Sequence, residues 1–251
     1  MRVALLNPRW TFDGSIYFGC REPHLPLELG WCRQRLEAAG HIVLLVDAHL
    51  FDLGPEEVRA EVAAFRPDLT VVTTAPTYLF WRCAPPELRV PRELLDAVRD
   101  VAGRTVAIGP HASTTPRAAL RKLDVELCLM GEPEDTLARV AGGELDLPGI
   151  ARRDGEAILV QGGPQAARFV DAGALDWPDD WIARHHHHHH RFDATPQRPG
   201  AEVEWSRGCP YHCSFCAKEN FRDRYRRRPA ETVLGEIRRL EEQGAEYVYF
   251  I

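Results

Sequence analysis

The sequence predicts an α/β protein whose first part is a parallel sheet covered by helices on both faces. Two observations lead there. Over residues 1–142, short apolar runs alternate with amphipathic stretches about five times. Those runs are also near-continuous in apolar residues, as strands buried on both faces require. The chain has 251 residues, 45% of them hydrophobic, which suits one large or two modest domains.

Residues 3–6 read as the first strand. A helix is expected over 27–39, with Leu29, Cys32, Leu36 and Ala39 on one face and Gly40 as its stop. Residues 42–46 form the second strand. Pro55, preorganised for a first helical turn, opens a helix whose Val58, Val62 and Phe65 share a face. Residues 69–73 are the third strand, and Pro91 opens a helix with Leu94, Val98 and Val101 inward. Residues 105–108 are the fourth strand, followed by a short helix after Pro116. Residues 125–129 are the fifth strand and 132–140 the fifth helix. Sheets of this kind bind ligands at the carboxyl ends of their strands. Asn7-Pro8, the run from Thr73 to Tyr78, the run from Gly109 to Ser113, and Gly131-Glu132 all fall there. Gly109 and Gly131 would let backbone approach a bulky ligand closely.

Residues 143–200 read as a join. A hairpin is expected over 150–160, turning at Asp154-Gly155. After it, Gly162, Gly163, Pro164, Pro178, Pro196 and Pro199 punctuate a linker. Trp177 and Trp181 are expected to pin that linker to a domain face. Six consecutive histidines, His185 to His190, read as a solvated loop, with metal binding or pH sensing as the functional alternative. Residues 201–251 open a second domain: a strand at 203–205, a cysteine loop, then a basic stretch at 221–228 expected to pair locally with carboxylates. A helix follows Pro229 with Val233, Ile237 and Leu240 inward and Gly244 as its stop, and a strand covers 247–251.

A formal charge of -6 gives no global basic field for nucleic acid, so no nucleic-acid partner is expected. No apolar run approaches the ~18 residues needed to span a bilayer, and no membrane partner is expected. The first residues read as a strand rather than a signal peptide. Seven cysteines, three of them clustered, fit a reducing cytoplasm better than a disulfide framework.

The three clustered cysteines carry the most chemical information. Cys209, Cys213 and Cys216 have the spacing Cys-x3-Cys-x2-Cys. Three thiolates in one short loop suit a cuboidal iron–sulfur cluster, one per iron, with the fourth iron open to a non-protein ligand. Structural zinc is the alternative, with His212 or a member of the His185 to His190 run as fourth ligand. It lacks the second Cys-x2-Cys pair of a zinc ribbon.

With Arg207-Gly208 ahead of it, Pro210-Tyr211 after the first cysteine and Phe215 before the last, this segment resembles the signature of radical S-adenosylmethionine (radical SAM) enzymes. The resemblance implies a 4Fe–4S cluster on Cys209, Cys213 and Cys216. Its open iron would chelate S-adenosylmethionine, and electron transfer would release a 5′-deoxyadenosyl radical. Phe215 would lie near the adenine. It also implies a small-molecule substrate, a reducing electron donor protein and a partial β/α barrel beginning at residue 201. On that reading residues 201–251 are only the opening of the barrel. The chain is then expected to be a piece of a longer enzyme, inactive by itself.

Beside that motif, residues 1–142 resemble the flavodoxin/Rossmann-like cobalamin-binding domain that precedes the catalytic domain in one class of radical SAM proteins. Val3-Ala-Leu-Leu-Asn-Pro8, Gly109-Pro-His-Ala112 and Gly131-Glu132 carry that likeness. It implies cobalamin contacts from Thr73, Thr74, Thr77, Gly109, His111, Ala112, Gly131 and Glu132. The Asp-x-His-x-x-Gly motif that ligates cobalt in the wider superfamily is missing. The nearest string is Asp47-Ala-His-Leu-Phe-Asp52, and His49 reads as an ordinary loop residue. The implied activity is methyl transfer to an unactivated carbon. The alternatives are a radical SAM reaction in which cobalamin is not the methyl donor or is absent, and a zinc-stabilised binding module without catalysis.

Overall fold

Alternation of side chains along a strand explains why the apolar runs are unbroken. In β1 (Arg2–Asn7), Val3 and Leu5 point to one face of the sheet while Ala4 and Leu6 point to the other. The computed structural model describes residues 1–11, 23–77, 87–185, 198–216 and 224–251. Within them α1 (Leu27–Ala38), β2 (Ile42–Asp47), α2 (Pro55–Phe65), β3 (Leu69–Thr73), α3 (Arg89–Val98) and β4 (Arg104–Ile108) follow in turn. Then come α4 (Pro110–Thr114), α5 (Pro116–Leu123), β5 (Leu127–Leu129) and α6 (Glu134–Ala141). The five strands are parallel, in the order β2-β1-β3-β4-β5. Val58 and Val62 of α2, Leu94 and Val98 of α3, and Leu120 of α5 cover one face. Leu29, Cys32 and Leu36 of α1, with Leu137 and Val140 of α6, cover the other. The chain order reverses between β1 and β3, which is where doubly wound sheets open a crevice for ligands.

The hairpin turns where the sequence places it, as β6 (Ile150–Asp154) and β7 (Ala157–Gln161). It does more than join. β6 pairs antiparallel with β5, so the sheet has seven strands and is mixed. Ile150 and Ala151 are buried on opposite faces, and β5 is spared an unpaired edge.

Several local expectations shift. Ala39 lies beyond α1 and is exposed, so it is not on the buried face. The third helix begins two residues before Pro91, whose missing N–H is harmless in a first turn. The run from Gly109 to Ser113, read as an open strand end, contains the short helix α4 with Pro110 at its start. Glu132 precedes α6 and is not in it.

Past the hairpin come a short 3₁₀ turn (Phe169–Asp171) and α7 (Asp179–Arg184). β8 (Gly200–Val203) is displaced from the expected 203–205, leaving Trp205 outside it and 40% exposed. The minimal pair β9 (Ser206–Arg207) and β10 (Arg226–Arg227) follows. α8 (Ala230–Glu242) then buries Val233 and Leu240, with Ile237 half-buried, and leads to β11 (Tyr247–Phe250), parallel to β8. This strand–helix–strand unit packs on the rest through a third core. There Leu27 and Trp31 of α1 meet Phe169, Trp177, Trp181, Ala201, Val203 and Leu240. Trp177 and Trp181 stack with centroids 5.7 Å apart, pinning the linker as expected. His185, read as the start of a solvated loop, is buried, with its Nδ1 against the Gly200 carbonyl. Tyr78, the histidines from His186 to His190, and residues 221–223 lie outside the described residues. Among the described residues no helix is long and apolar enough to cross a membrane.

Candidate functional site

β9 and β10 form an antiparallel stem, with Arg207 opposite Arg226, that closes the loop bearing the cysteines. Gly208 turns the chain out of that stem at φ +79°, and a Cβ there would lie 2.1 Å from the Arg224 carbonyl oxygen. Only glycine fits both demands. Gly208→Ala is therefore expected to distort the stem, with about 1–2 kcal/mol from the left-handed backbone alone. Iron content after anaerobic reconstitution and thermal melting of the variant check this: both should fall.

Cys209 is half-buried, and Cys213 and Cys216 are exposed; none of the three forms a disulfide. The Cys216 N–H donates to the Cys213 carbonyl at 3.0 Å. By contrast Cys32 and Cys128 are fully buried, and burial pushes both thiols well up. The donor set on the loop thus fits a cluster that takes one accessible thiolate per iron. Among the described residues no three His, Cys, Asp or Glu side chains converge on one ion position, and His212 is exposed. Phe215 is 90% exposed.

Beneath the stem lies a buried ion cluster. The Arg207 guanidinium, in a side chain 2% exposed, sits 2.6 Å from Glu134, 2.9 Å from Glu204 and 3.5 Å from Glu132. It also lies 4.3 Å over the Phe169 ring. Arg226 clasps both carboxylate oxygens of Glu132 and donates to the Ala167 carbonyl at 2.8 Å. The Ala167 N–H donates to Glu132 at 2.7 Å. Trp31 Nε1 donates to Glu204 at 2.8 Å. Nearby, Arg228 pairs with Glu236, donates to the Glu204 carbonyl at 2.8 Å and lies 4.7 Å over Trp31. Burial disfavours the Arg207 cation, but Glu134, Glu204 and Glu132 together hold its pKa well above the ordinary value. Burial pushes the Glu134 carboxyl up, against the lowering pull of Arg207.

Sequence reasoning took Arg207 only as motif flank and missed Glu134, Glu204 and Arg226 as its partners. Its expectation that the basic stretch pairs locally with carboxylates holds at Arg228 with Glu236, whereas Arg226 pairs with the distant Glu132.

At the strand ends, Thr73 is buried and its hydroxyl has no partner among the described residues. Thr74 donates to the Ile108 carbonyl at 2.9 Å, and Thr77 to Glu28 at 2.7 Å. Gly109 has φ +107° at the start of α4, where His111 is half-exposed and Ala112 buried. Ser113 Oγ donates to the Gly109 carbonyl and receives the Gly131 N–H at 2.9 Å, tying the ends of β4 and β5 together. Gly131 makes its close approach to this chain's own backbone: a Cβ there would lie 2.2 Å from the Gln165 carbonyl oxygen. Glu132 turns into the ion cluster. The partnerless Thr73 hydroxyl and the glycine-started α4 are features a large ligand at this edge would use.

At the ends of β1 and β2, the Asn7 amide donates to Asp47 at 2.7 Å and Trp10 Nε1 donates to Asn7 at 2.9 Å. The Trp10 N–H donates to His49 Nδ1 at 3.2 Å. Burial pushes the Asp47 carboxyl up to about 6, against the N–H groups of Leu50 and Asn7. A carboxyl raised on folding contributes stability at low pH and loses it as pH climbs from about 4 to about 6. Comparing chemical denaturation of the parent and Asp47→Asn across that window is expected to show the parent losing stability relative to the variant.

The chain shares its fold with solved cobalamin-dependent radical SAM enzymes. The radical SAM methyltransferase TsrM from Kitasatospora setae, solved with cobalamin and a [4Fe-4S] cluster bound, superposes with TM-score 0.72 at 20% identity, over 99% of this chain and 47% of that one. The cobalamin-dependent S-adenosylmethionine radical enzyme OxsB, solved with aqua-cobalamin and S-adenosylmethionine, superposes with TM-score 0.73 at 18% identity, over 99% and 33%. In sequence, the chain is 26% identical over 258 residues to an anaerobic magnesium-protoporphyrin IX monomethyl ester cyclase from Cereibacter sphaeroides, covering 96% of this chain and 38% of the relative. It is 28% identical over 236 residues to a hopanoid C-3 methylase from Methylococcus capsulatus, covering 87% and 41%. The chain thus spans about two fifths of the length of these curated relatives. No family model matches it.

Proposed function

We propose that this chain belongs to a cobalamin-dependent radical SAM enzyme that transfers a methyl group to an unactivated carbon of a small molecule. The observation that carries the reading is the stem-closed loop of three cysteines, anchored by Arg207 and Arg226 to the β5–α6 end of a doubly wound sheet. When bound, the cluster supplies the electron that cleaves the sulfonium of S-adenosylmethionine, and cobalamin supplies a methyl carrier. Cys209, Cys213 and Cys216 would hold the cluster, and the exposed Phe215 ring would pack near the adenine. Thr73, Thr74, Thr77, Gly109, His111, Ala112, Gly131 and Glu132 would shape the cobalamin edge. Of these, Thr73 offers a free hydroxyl, Gly131 and Glu132 act mainly by fixing the loop after β5, and Thr74 and Thr77 hold the β3 end in place. With the Asp-x-His-x-x-Gly motif absent, His49 is read as a loop residue and cobalt as lacking a protein ligand. A second domain opening at residue 201, a reducing donor protein and a cytoplasmic setting complete the reading. The described cysteines, none of which forms a disulfide, support the last of these.

The test is the full-length protein, reconstituted anaerobically and given S-adenosylmethionine and a reductant. The reading expects 5′-deoxyadenosine or S-adenosylhomocysteine, dependent on the three cysteines, and methylated product dependent on cobalamin. Product formation indifferent to cobalamin would support the alternative in which cobalamin is not the donor. Absence of any S-adenosylmethionine turnover would contradict both.

A further inference from the structure

We propose that Arg226 is a positioning residue which, through Glu132 and Arg207, couples cobalamin binding at the sheet edge to the cluster-bearing loop. The inference rests on the cofactor reading above and goes beyond it, because no resemblance assigns Arg226 a role. Its basis is a convergence. Arg207 ends one arm of the stem, directly before Gly208-Cys209, and Arg226 stands opposite it on the other arm. Both guanidinium groups reach the same carboxylate, Glu132, one residue past Gly131 at the end of β5. Arg207 also holds Glu134 at the start of α6, the next residue but one. Ala167, on the chain past the hairpin, closes the circuit by donating to Glu132 and accepting from Arg226.

A ligand that fixes the loop after β5 therefore fixes the two arms of the cysteine loop, and an ordered cluster loop fixes the loop after β5. Arg226 sets this geometry because its fork takes both Glu132 oxygens at once, which a lysine cannot do. Coupling carried through this shared element is reciprocal. The carboxylate is fully buried and the Arg226 side chain only 15% exposed, so the contact is little screened by salt.

The experiment is an absorbance titration of full-length protein with hydroxocobalamin, once with the cluster reconstituted and once after iron removal by a chelator. The parent is expected to bind at least about fivefold more tightly with the cluster in place. Arg226→Gln should bring the two Kd values to within about twofold, with circular dichroism unchanged. Arg226→Lys, which keeps the charge without the fork, should show an intermediate ratio and carries the test if Arg226→Gln does not fold. Equal Kd values in the parent, or the full ratio retained in Arg226→Gln or Arg226→Lys, would overturn the inference while leaving the cofactor reading intact. No cobalamin binding in either state would overturn the cobalamin reading and the inference with it.

Discussion

Replacing Cys209, Cys213 and Cys216 together with alanine is expected to abolish iron binding, from about four irons per chain to none. The physical reason is access and chemistry together. The thiolate is the ligand form, and the three cysteines lie on one loop, Cys213 and Cys216 exposed and Cys209 half-buried. Cys32 and Cys128 supply the internal control. Both are sealed in the cores on either side of the sheet, and burial holds their thiols protonated. Alanine at Cys32 or Cys128 should leave iron untouched, and any loss there should track lost packing instead. Iron and sulfide analysis of anaerobically prepared protein reads both arms. Full iron retention in the triple variant would remove the basis of the site.

The second large effect is expected at Arg207. Arg207→Met should destabilise the protein by about 3–5 kcal/mol, because the carboxylates it faces stay buried without their compensating charge. For a chain of this size that lowers Tm by roughly 6–20 °C. Met roughly matches the stem over Phe169 but cannot answer Glu134 and Glu204, so the loss is electrostatic rather than a matter of volume. The exposed pair of Arg59 and Asp100 is the contrast: it is open to solvent and salt, and Arg59→Gln should leave Tm within error. Calorimetry on the three proteins separates these outcomes. A shift at Arg207 no larger than at Arg59 would show that the buried cluster does not hold the stem.

The sheet was legible because Val3 to Leu6 is apolar without interruption and Leu69 to Thr73 is interrupted only by threonines, and because Gly and Pro mark the breaks. Periodicity speaks to burial, and burial on both faces leaves few alternatives. The hairpin was legible as a turn, yet its pairing with β5 was not, since nothing in Ile150 or Ala151 names the strand they meet. The three cysteines were legible because their chemistry is carried by spacing within eight residues. The ion cluster was not, because Glu132 and Glu134 lie more than seventy residues from Arg207 and only the fold brings them together. Glu132 shows the limit best. Its place at a strand end marked it for ligand contact, whereas its carboxylate is engaged by Arg226. The local sequence gives no sign of that partner.

The most direct test is metal and cofactor analysis of the full-length protein purified anaerobically and reconstituted with iron, sulfide and hydroxocobalamin. The account predicts about four irons and one cobalt per chain, with cob(II)alamin lacking the nitrogen splitting of an axial imidazole. One zinc per chain on the cysteine loop, with neither iron nor cobalt retained, would contradict it.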